Sequence, residues 1–370
     1  MNFQGIQRLQ QWLKTGVTLL LLVILSLGLS AAKDRTSTLP AGNAITDGQA
    51  ILRYALPIEN RPIRELQKSL EDVATQLRSN RRWGAITSDI KQAGRILSQP
   101  DALLAGITQQ DQQGAANELI SQLKDNLAAL QTAAEAKDKE QTWVQRSKLL
   151  AQVGKLEELM VQQFPFEVPA EYRNLPQLKG RATVEFITNK GKITAVVDGY
   201  SAPVTAGNFV DLVQHGFYNK LPFTRAEESY VLQAGDPVGE ADGFIDPKTK
   251  QYRSIPLEFL IEGDKTPTYG ITMEDAGRYQ DHPVLPFAAY GTLGMARPGD
   301  DPNGGSSQFF FFLFEPELTP AGYNLLDGRY SVFGYVTEGK EVLEQLRAGD
   351  TIESAKVVAG LENLQQPGKG

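Results

Sequence analysis

The sequence predicts two domains, an all-α four-helix bundle followed by a mainly-β barrel or sandwich, and three observations carry that division. The chain has 370 residues, 41% of them hydrophobic and 22% charged, which is enough apolar material for two separate cores. Between residues 60 and 163 apolar residues recur at spacings of three and four, the period of a helix face; after Gly180 they alternate, the period of a strand. Between these regimes lie Pro165, Pro169 and Pro176. Each removes a backbone donor and turns the preceding residue away from helix, so residues 164–178 read as an extended, stiff connector.

The N-terminus carries an address. Arg8 and Lys14 precede an uninterrupted apolar run over residues 16–30, which ends in the small residues Ser30, Ala31 and Ala32. A run of about 15 residues is short for a membrane span, which needs about 20, so a signal peptide cleaved after Ala32 is favoured over an uncleaved anchor. Cleavage removes two basic residues and no acidic ones from 37 basic and 44 acidic, leaving 35 against 44, a net charge of −9. The mature chain is then an acidic exported protein whose membrane contact is limited to the signal segment. Residues 33–60 contain Thr, Ser, Pro and Gly, and their Ile51-Leu52-Arg53-Tyr54 stretch can form a short element of undetermined type.

The helices follow in order. Pro62 suits a first helical position, and Ile63, Leu66, Leu70, Val73 and Leu77 form one stripe after it. Trp83, Ile86, Ile90, Ala93 and Leu97 form a second before Pro100 breaks the chain. Leu119, Leu123, Leu127, Leu130 and Ala134 make a third, and Leu149, Val153, Leu156 and Met160 a fourth. Short connections imply antiparallel neighbours, with the stripes forming a core and no further apolar face, as in a monomer. Beyond Gly180, residues 181–188 alternate and are rich in β-branched side chains. A turn at Lys190-Gly191 leads into a second strand over 192–198, and the pair reads as a hairpin. Residues 206–213 are helical, short strands with Gly and Pro turns follow, and residues 340–346 form a late helix.

Composition excludes several functions. Phosphate affinity rests on Lys and Arg, and a chain with pI near 5.2 is a poor nucleic-acid binder. With no cysteine, disulfides, thiolate chemistry and Cys-based zinc sites are excluded. His215 and His282 are the only histidines and lie far apart in turn-like contexts, so neither a metal site nor a cofactor is expected.

Seven segments of the second half, taken in order, resemble the cyclophilin family. They are residues 202–209 (APVTAGNF), Gly216-Phe-Tyr-Asn with Pro222-Phe-Thr-Arg225, Gln233-Ala-Gly-Asp-Pro237, Ile255-Pro-Leu-Glu-Phe259, residues 291–296 (GTLGMA), residues 303–310 (NGGSSQFF) and residues 326–334 (LDGRYSVFG). The resemblance spans residues 180–360 and implies an eight-stranded antiparallel barrel capped by helices. With a signal, a helical bundle and a proline-rich connector ahead of it, the chain resembles the two-domain cyclophilins of the thylakoid lumen. Members of that group are associated with photosystem II assembly and repair. The bundle, by architecture alone, is similar to the lumenal extrinsic photosystem subunits. The implied domains are a signal at 1–32, a bundle at 33–163, a connector at 164–178, an isomerase domain at 179–362 and a tail at 363–370.

Prolyl isomerisation needs neither a nucleophile nor a titrating acid or base. The barrier of about 18–20 kcal/mol comes from the partial double bond of the amide, and the twisted amide regains a nitrogen lone pair to which a guanidinium can donate. The resemblance implies that Arg225 is this donor, that Gln233 contacts the substrate carbonyl and that Phe310 floors the proline pocket, with Leu326 at its wall and Gln308 and Ala296 in the peptide groove. Other positions depart from the family pattern. Thr224 stands for histidine, Tyr230-Val231 for an aromatic–methionine pair, Arg297 for asparagine, Leu325 for the rim tryptophan and Tyr330 for the histidine that packs on the proline ring. These changes alter the shape and polarity of the pocket, so isomerase activity is expected to be weak or absent. The implied function is a peptidyl-prolyl cis-trans isomerase and folding factor of the thylakoid lumen, or of a periplasm; the alternative is a catalytically weak scaffold that binds clients. The implied clients are proline-containing polypeptides, lumenal loops of photosystem II core proteins among them. Residues 238–290 interrupt the compact family pattern, and their Gly, Pro and charge content predicts an extended surface loop.

Overall fold

The computed structural model describes residues 45–78, 82–314 and 324–367. The signal segment and its cleavage site lie outside these residues. Among the described residues no helix is long and apolar enough to cross a membrane.

Four long helices, α2 (Arg61–Leu77), α3 (Trp83–Leu97), α5 (Gln110–Glu135) and α6 (Lys139–Leu159), form the bundle, with the short α4 (Pro100–Leu104) between the second and third. Local chemistry sets where they begin. The Asn60 side chain accepts from the Ile63 amide at 3.0 Å, and its Nδ2 donates to the carbonyls of Ala102 and Ala105, so one cap also ties α2 to α4. Asp138 caps α6 through the Gln141 amide at 2.9 Å. All five residues of the first apolar stripe are buried, as are Ile86, Ile90, Ala93, Leu123, Leu130, Leu149, Val153 and Leu156. The stretch at 51–54 is helical: α1 (Gly48–Ala55) packs on the barrel, and Ile51, Leu52 and Ala55 share a core with barrel residues.

Twelve strands follow among the described residues. They are β1 (Gln177–Leu178), β2 (Arg181–Thr188), β3 (Gly191–Asp198), β4 (Phe223–Glu227), β5 (Val231–Ala234), β6 (Glu258–Phe259), β7 (Thr268–Tyr269), β8 (Thr292–Met295), β9 (Phe309–Phe312), β10 (Val332–Glu338), β11 (Ile352–Ala359) and β12 (Leu364–Gln365). Eight of them make one antiparallel sheet in the order β11-β2-β3-β10-β8-β9-β5-β4. Its two edges meet where the Ile352 amide donates to the Leu221 carbonyl at 2.9 Å and the Phe223 amide to that of Asp350 at 2.8 Å. The curled sheet encloses Phe186, Phe209, Phe309, Phe311 and Phe333, with Phe209 supplied by α7 (Pro203–Gln214). Glu258, fully buried, accepts from the Val204 and Thr205 amides at 3.2 and 2.8 Å, so its carboxylate caps the N-terminus of α7 from β6. Helix α8 (Lys340–Leu343) is one turn long, shorter than the expected 340–346.

Residues 238–290 correct one expectation. Part of the insertion is surface, but β6 pairs with β7, and Leu257, Phe259, Ile261 and Met273 form a small core of their own. Leu285 and Phe287 are buried against the outer face of the barrel. The proline-rich stretch also lies on the barrel, with Val168 buried in the barrel core and β1 paired to β12.

Charges join the two cores. From β2, Arg181 donates through Nε to Asp198 at 2.7 Å, through Nη1 to Glu158 of α6 at 3.3 Å and through Nη2 to the Leu52 carbonyl of α1. Arg64 of α2 donates to Glu157 at 3.1 Å and to the carbonyls of Arg53 and Leu56. Removing the arginine from a buried pair strands the carboxylate, which costs about 3–5 kcal/mol. Arg181→Met is therefore expected to lower unfolding stability in urea by that amount, and an unchanged midpoint would show that Asp198 tolerates the loss of its partner.

Burial pushes the Glu157 carboxyl from 4.5 up to about 7, against the pull of Arg64, Arg53 and Arg181. Its Oε2 finds no hydrogen-bond partner among the described residues, which is compatible with a proton there. Between these two values the folded chain keeps a proton that the unfolded chain has released, so this group's contribution to stability falls as pH rises. In Glu157→Gln that slope disappears, and the variant's stability relative to the parent rises from about pH 5 to about pH 7.5. Parallel pH profiles for the two proteins would show that Glu157 does not titrate in this window.

Candidate active site

Strand register builds the site. Arg225 on β4 is the Cα partner of Gln233 on β5, Gln233 of Phe310 on β9, and Phe310 of Gly294 on β8. Directly opposed residues point to the same face, so the three residues assigned to catalysis form one row across three neighbouring strands. The row lies on the outer face of the sheet, because the alternate residues Phe309 and Phe311 fill the interior.

A bulge brings Arg225 to that face. Phe223 pairs with Ala234 and Arg225 with Gln233, so Thr224 is the extra residue. Phe223 points inward and is 1% exposed. In a regular strand Arg225, two residues on, would point inward as well; the bulge reverses it. Glu227 then shares the outer face, and its Oε1 accepts from Arg225 Nε at 2.8 Å and from Nη2. Both side chains of this pair are about half exposed.

The amides of Gln233 and Gln308 are bonded to each other at 2.6 Å, and Gln308 also donates to the Asp242 carbonyl at 2.8 Å. Phe310 is only 5% exposed. Phe287 lies parallel to it with centroids 5.7 Å apart, and Tyr330 meets it edge-on at 5.5 Å. Gly294 makes room for both phenylalanines, since a Cβ there would approach Phe310 Cζ to 2.5 Å and Phe287 Cζ to 2.8 Å. Val231 is buried, Leu326 and Ala296 are partly buried against the same cluster, and Tyr230 is half exposed with its ring edge-on to Phe312 at 6.0 Å. Leu325 is 81% exposed, so at that position the rim lacks a packed side chain. The Arg297 guanidinium lies 5.4 Å from the centre of the Tyr330 ring.

Two residues of this site, Glu227 and Phe287, lie outside every motif, and a third, Asp327, lies within residues 326–334 with no role assigned from the sequence. Glu227 could have been suspected from its spacing of two from Arg225 on a strand. Phe287 comes from the insertion, where nothing local marks it. Asp327 holds Phe287 in place by accepting its amide at 2.7 Å, and burial pushes the Asp327 carboxyl up to about 6 against the pull of the Phe287 and Asn324 amides.

Comparison with known proteins agrees with this architecture. Residues 47–161 match the family model described as peptidyl-prolyl cis-trans isomerase CYP38-like, PsbQ-like domain, and residues 183–362 match the cyclophilin type peptidyl-prolyl cis-trans isomerase model. A protein of Synechocystis sp. named as a thylakoid lumen peptidyl-prolyl cis-trans isomerase is 58% identical over 327 residues, covering 88% of this chain and 86% of its own. The chloroplastic isomerase CYP38 of Arabidopsis thaliana is 44% identical over 341 residues, covering 90% of this chain and 78% of its own. The chloroplastic CYP37 of the same plant is 31% identical over 347 residues, covering 86% and 71%. Because these relatives share the helical domain as well as the barrel over most of their own length, the chain belongs to the two-domain, CYP38-like cyclophilins, peptidyl-prolyl cis-trans isomerases of the thylakoid lumen.

Proposed function

We propose that the outer face of β4, β5 and β9 is a groove that binds proline-containing segments of lumenal polypeptides and isomerises them slowly. Members of the family take proline-containing polypeptides as substrates. The observation that carries this reading is the row of Arg225, Gln233 and Phe310 in direct cross-strand register. In it, Phe310 carries the proline ring, Gln233 holds the flanking carbonyl, and Arg225 donates to the amide nitrogen as that nitrogen becomes pyramidal. The donation is stronger in the twisted state than in the planar one, which is what lowers the barrier. Tyr230, Val231, Leu325, Leu326 and Tyr330 shape the pocket, and Ala296, Arg297 and Gln308 line the path of the peptide.

Two features hold the rate down. Glu227 occupies the guanidinium that the amide nitrogen needs, and Phe310 presents little free surface. The same features favour a second reading, a client-holding factor in which binding outlasts catalysis. Assembly of photosystem II is the process that suits such a factor, supported by the PsbQ-like description of the matched helical domain. The domain division that accompanies this reading is a bundle at 33–163, a connector at 164–178, the isomerase domain at 179–362 and a tail at 363–370.

Two measurements test it. In an X–Pro peptide assay, Arg225→Ala is expected to reduce kcat/KM by about a hundredfold, the usual scale for losing one preorganised donor. Retained activity in that variant would remove Arg225 from the mechanism, while retained peptide binding without turnover would favour the holding role. Glu227→Gln releases the guanidinium from an exposed pair worth at most about 1 kcal/mol, so kcat/KM should rise by about two- to fivefold. A fall in rate would mean that Glu227 positions the arginine productively.

A further inference from the structure

We propose that Arg297 makes the groove selective for clients carrying an acidic side chain two or three residues from the proline. The inference rests on the groove reading above and names its substrate class. The arginines around the pocket differ in one respect. Arg225 is paired with Glu227, Arg329 with Glu274, and Arg278 with Asp264 and Asp281. Arg297 has no carboxylate partner among the described residues. Its Nε donates to the Arg329 carbonyl at 2.8 Å and its Nη1 to that of Pro298 at 2.7 Å. These bonds orient the fork without neutralising it. The neighbouring Asp301 carboxylate accepts instead from the Asn303 amide at 2.8 Å.

The guanidinium is also placed in relation to the pocket floor. Both lie against Tyr330, whose centroid is 5.5 Å from that of Phe310 and 5.4 Å from Arg297 Cζ. The charge therefore lies within about 11 Å of the Phe310 ring, the span of about three residues of extended chain. A proline seated on Phe310 brings a residue two or three positions away up to this arginine. A planar, oriented guanidinium with no carboxylate partner among the described residues suits a carboxylate, and the charge repels a lysine at the same place.

The test uses the mature chain and a peptide set built on one X–Pro core, with Glu, Gln or Lys placed two or three residues from the proline on either side. Binding is read by titration, independently of turnover. At low salt one Glu position should bind about two- to fivefold tighter than its Gln counterpart, the scale of an exposed ion pair, and the corresponding Lys peptide weaker. The Glu-to-Gln affinity ratio should fall to one in Arg297→Gln, persist in part in Arg297→Lys, and shrink at high salt. A purely structural role for Arg297 would weaken the Glu and Gln peptides alike and leave that ratio unchanged. Equal affinities of Glu, Gln and Lys peptides for the parent chain overturn the selectivity while leaving the groove intact. Failure of every proline peptide to bind overturns the groove reading itself.

Discussion

Arg181 sits where the two cores meet, with only 9% of its surface exposed. It opens β2 opposite Asp198, and the two are Cα partners across the first hairpin. A guanidinium buried this far must satisfy its donors within the protein, and its fork reaches three acceptors on three elements: Asp198 on β3, Glu158 on α6 and the Leu52 carbonyl on α1. A lysine could supply the charge but not the planar fork. The bundle and the barrel are thereby held by a group that either core alone would leave unsatisfied.

Helix α1 extends that linkage to the site. It precedes the bundle in sequence yet lies on the barrel. A Cβ at Gly48 would come within 2.7 Å of Tyr335 Cβ, so glycine permits this close approach. Tyr335 in turn donates to the Pro286 carbonyl at 2.7 Å, one residue before Phe287. Ile51, Leu52, Tyr335, Phe287 and Phe310 belong to one buried cluster. The floor assigned to the proline pocket is thus the outer layer of a second core, made of α1, the end of the insertion and the outer face of the sheet. This explains an unusual strand. Phe309–Phe312 has no polar alternation because both of its faces are covered, Phe309 and Phe311 by the barrel interior and Phe310 and Phe312 by this second layer.

Glu227 and Arg297 show how a recognisable scaffold acquires its own chemistry. One places a carboxylate on the arginine assigned to catalysis, and the other places beside the candidate pocket a cation that has no carboxylate partner among the described residues. Neither changes the backbone. Both act through distances of a few ångströms across an exposed surface, where charge alters rate and selectivity more than stability.

Local and periodic features were legible in the sequence. The four helical stripes, the β2–β3 hairpin and the turn from helical to strand period after Gly180 follow from spacing, because helix and strand faces repeat at fixed intervals, and the segments that contain Arg225, Gln233 and Phe310 are recognisable as short motifs. What only the tertiary structure decided involves residues far apart in the chain. The placement of α1 on the barrel, the small separate core in residues 238–290, Phe287 against Phe310, and the three-way bonding of Arg181 join segments separated by tens to hundreds of positions. The bulge at Thr224 belongs with them, since which face Arg225 takes depends on pairing with β5 and not on its own neighbours. A sequence carries the period of each element; the partner that an exposed charge or ring will meet is set by packing between elements, and packing leaves no local period to read.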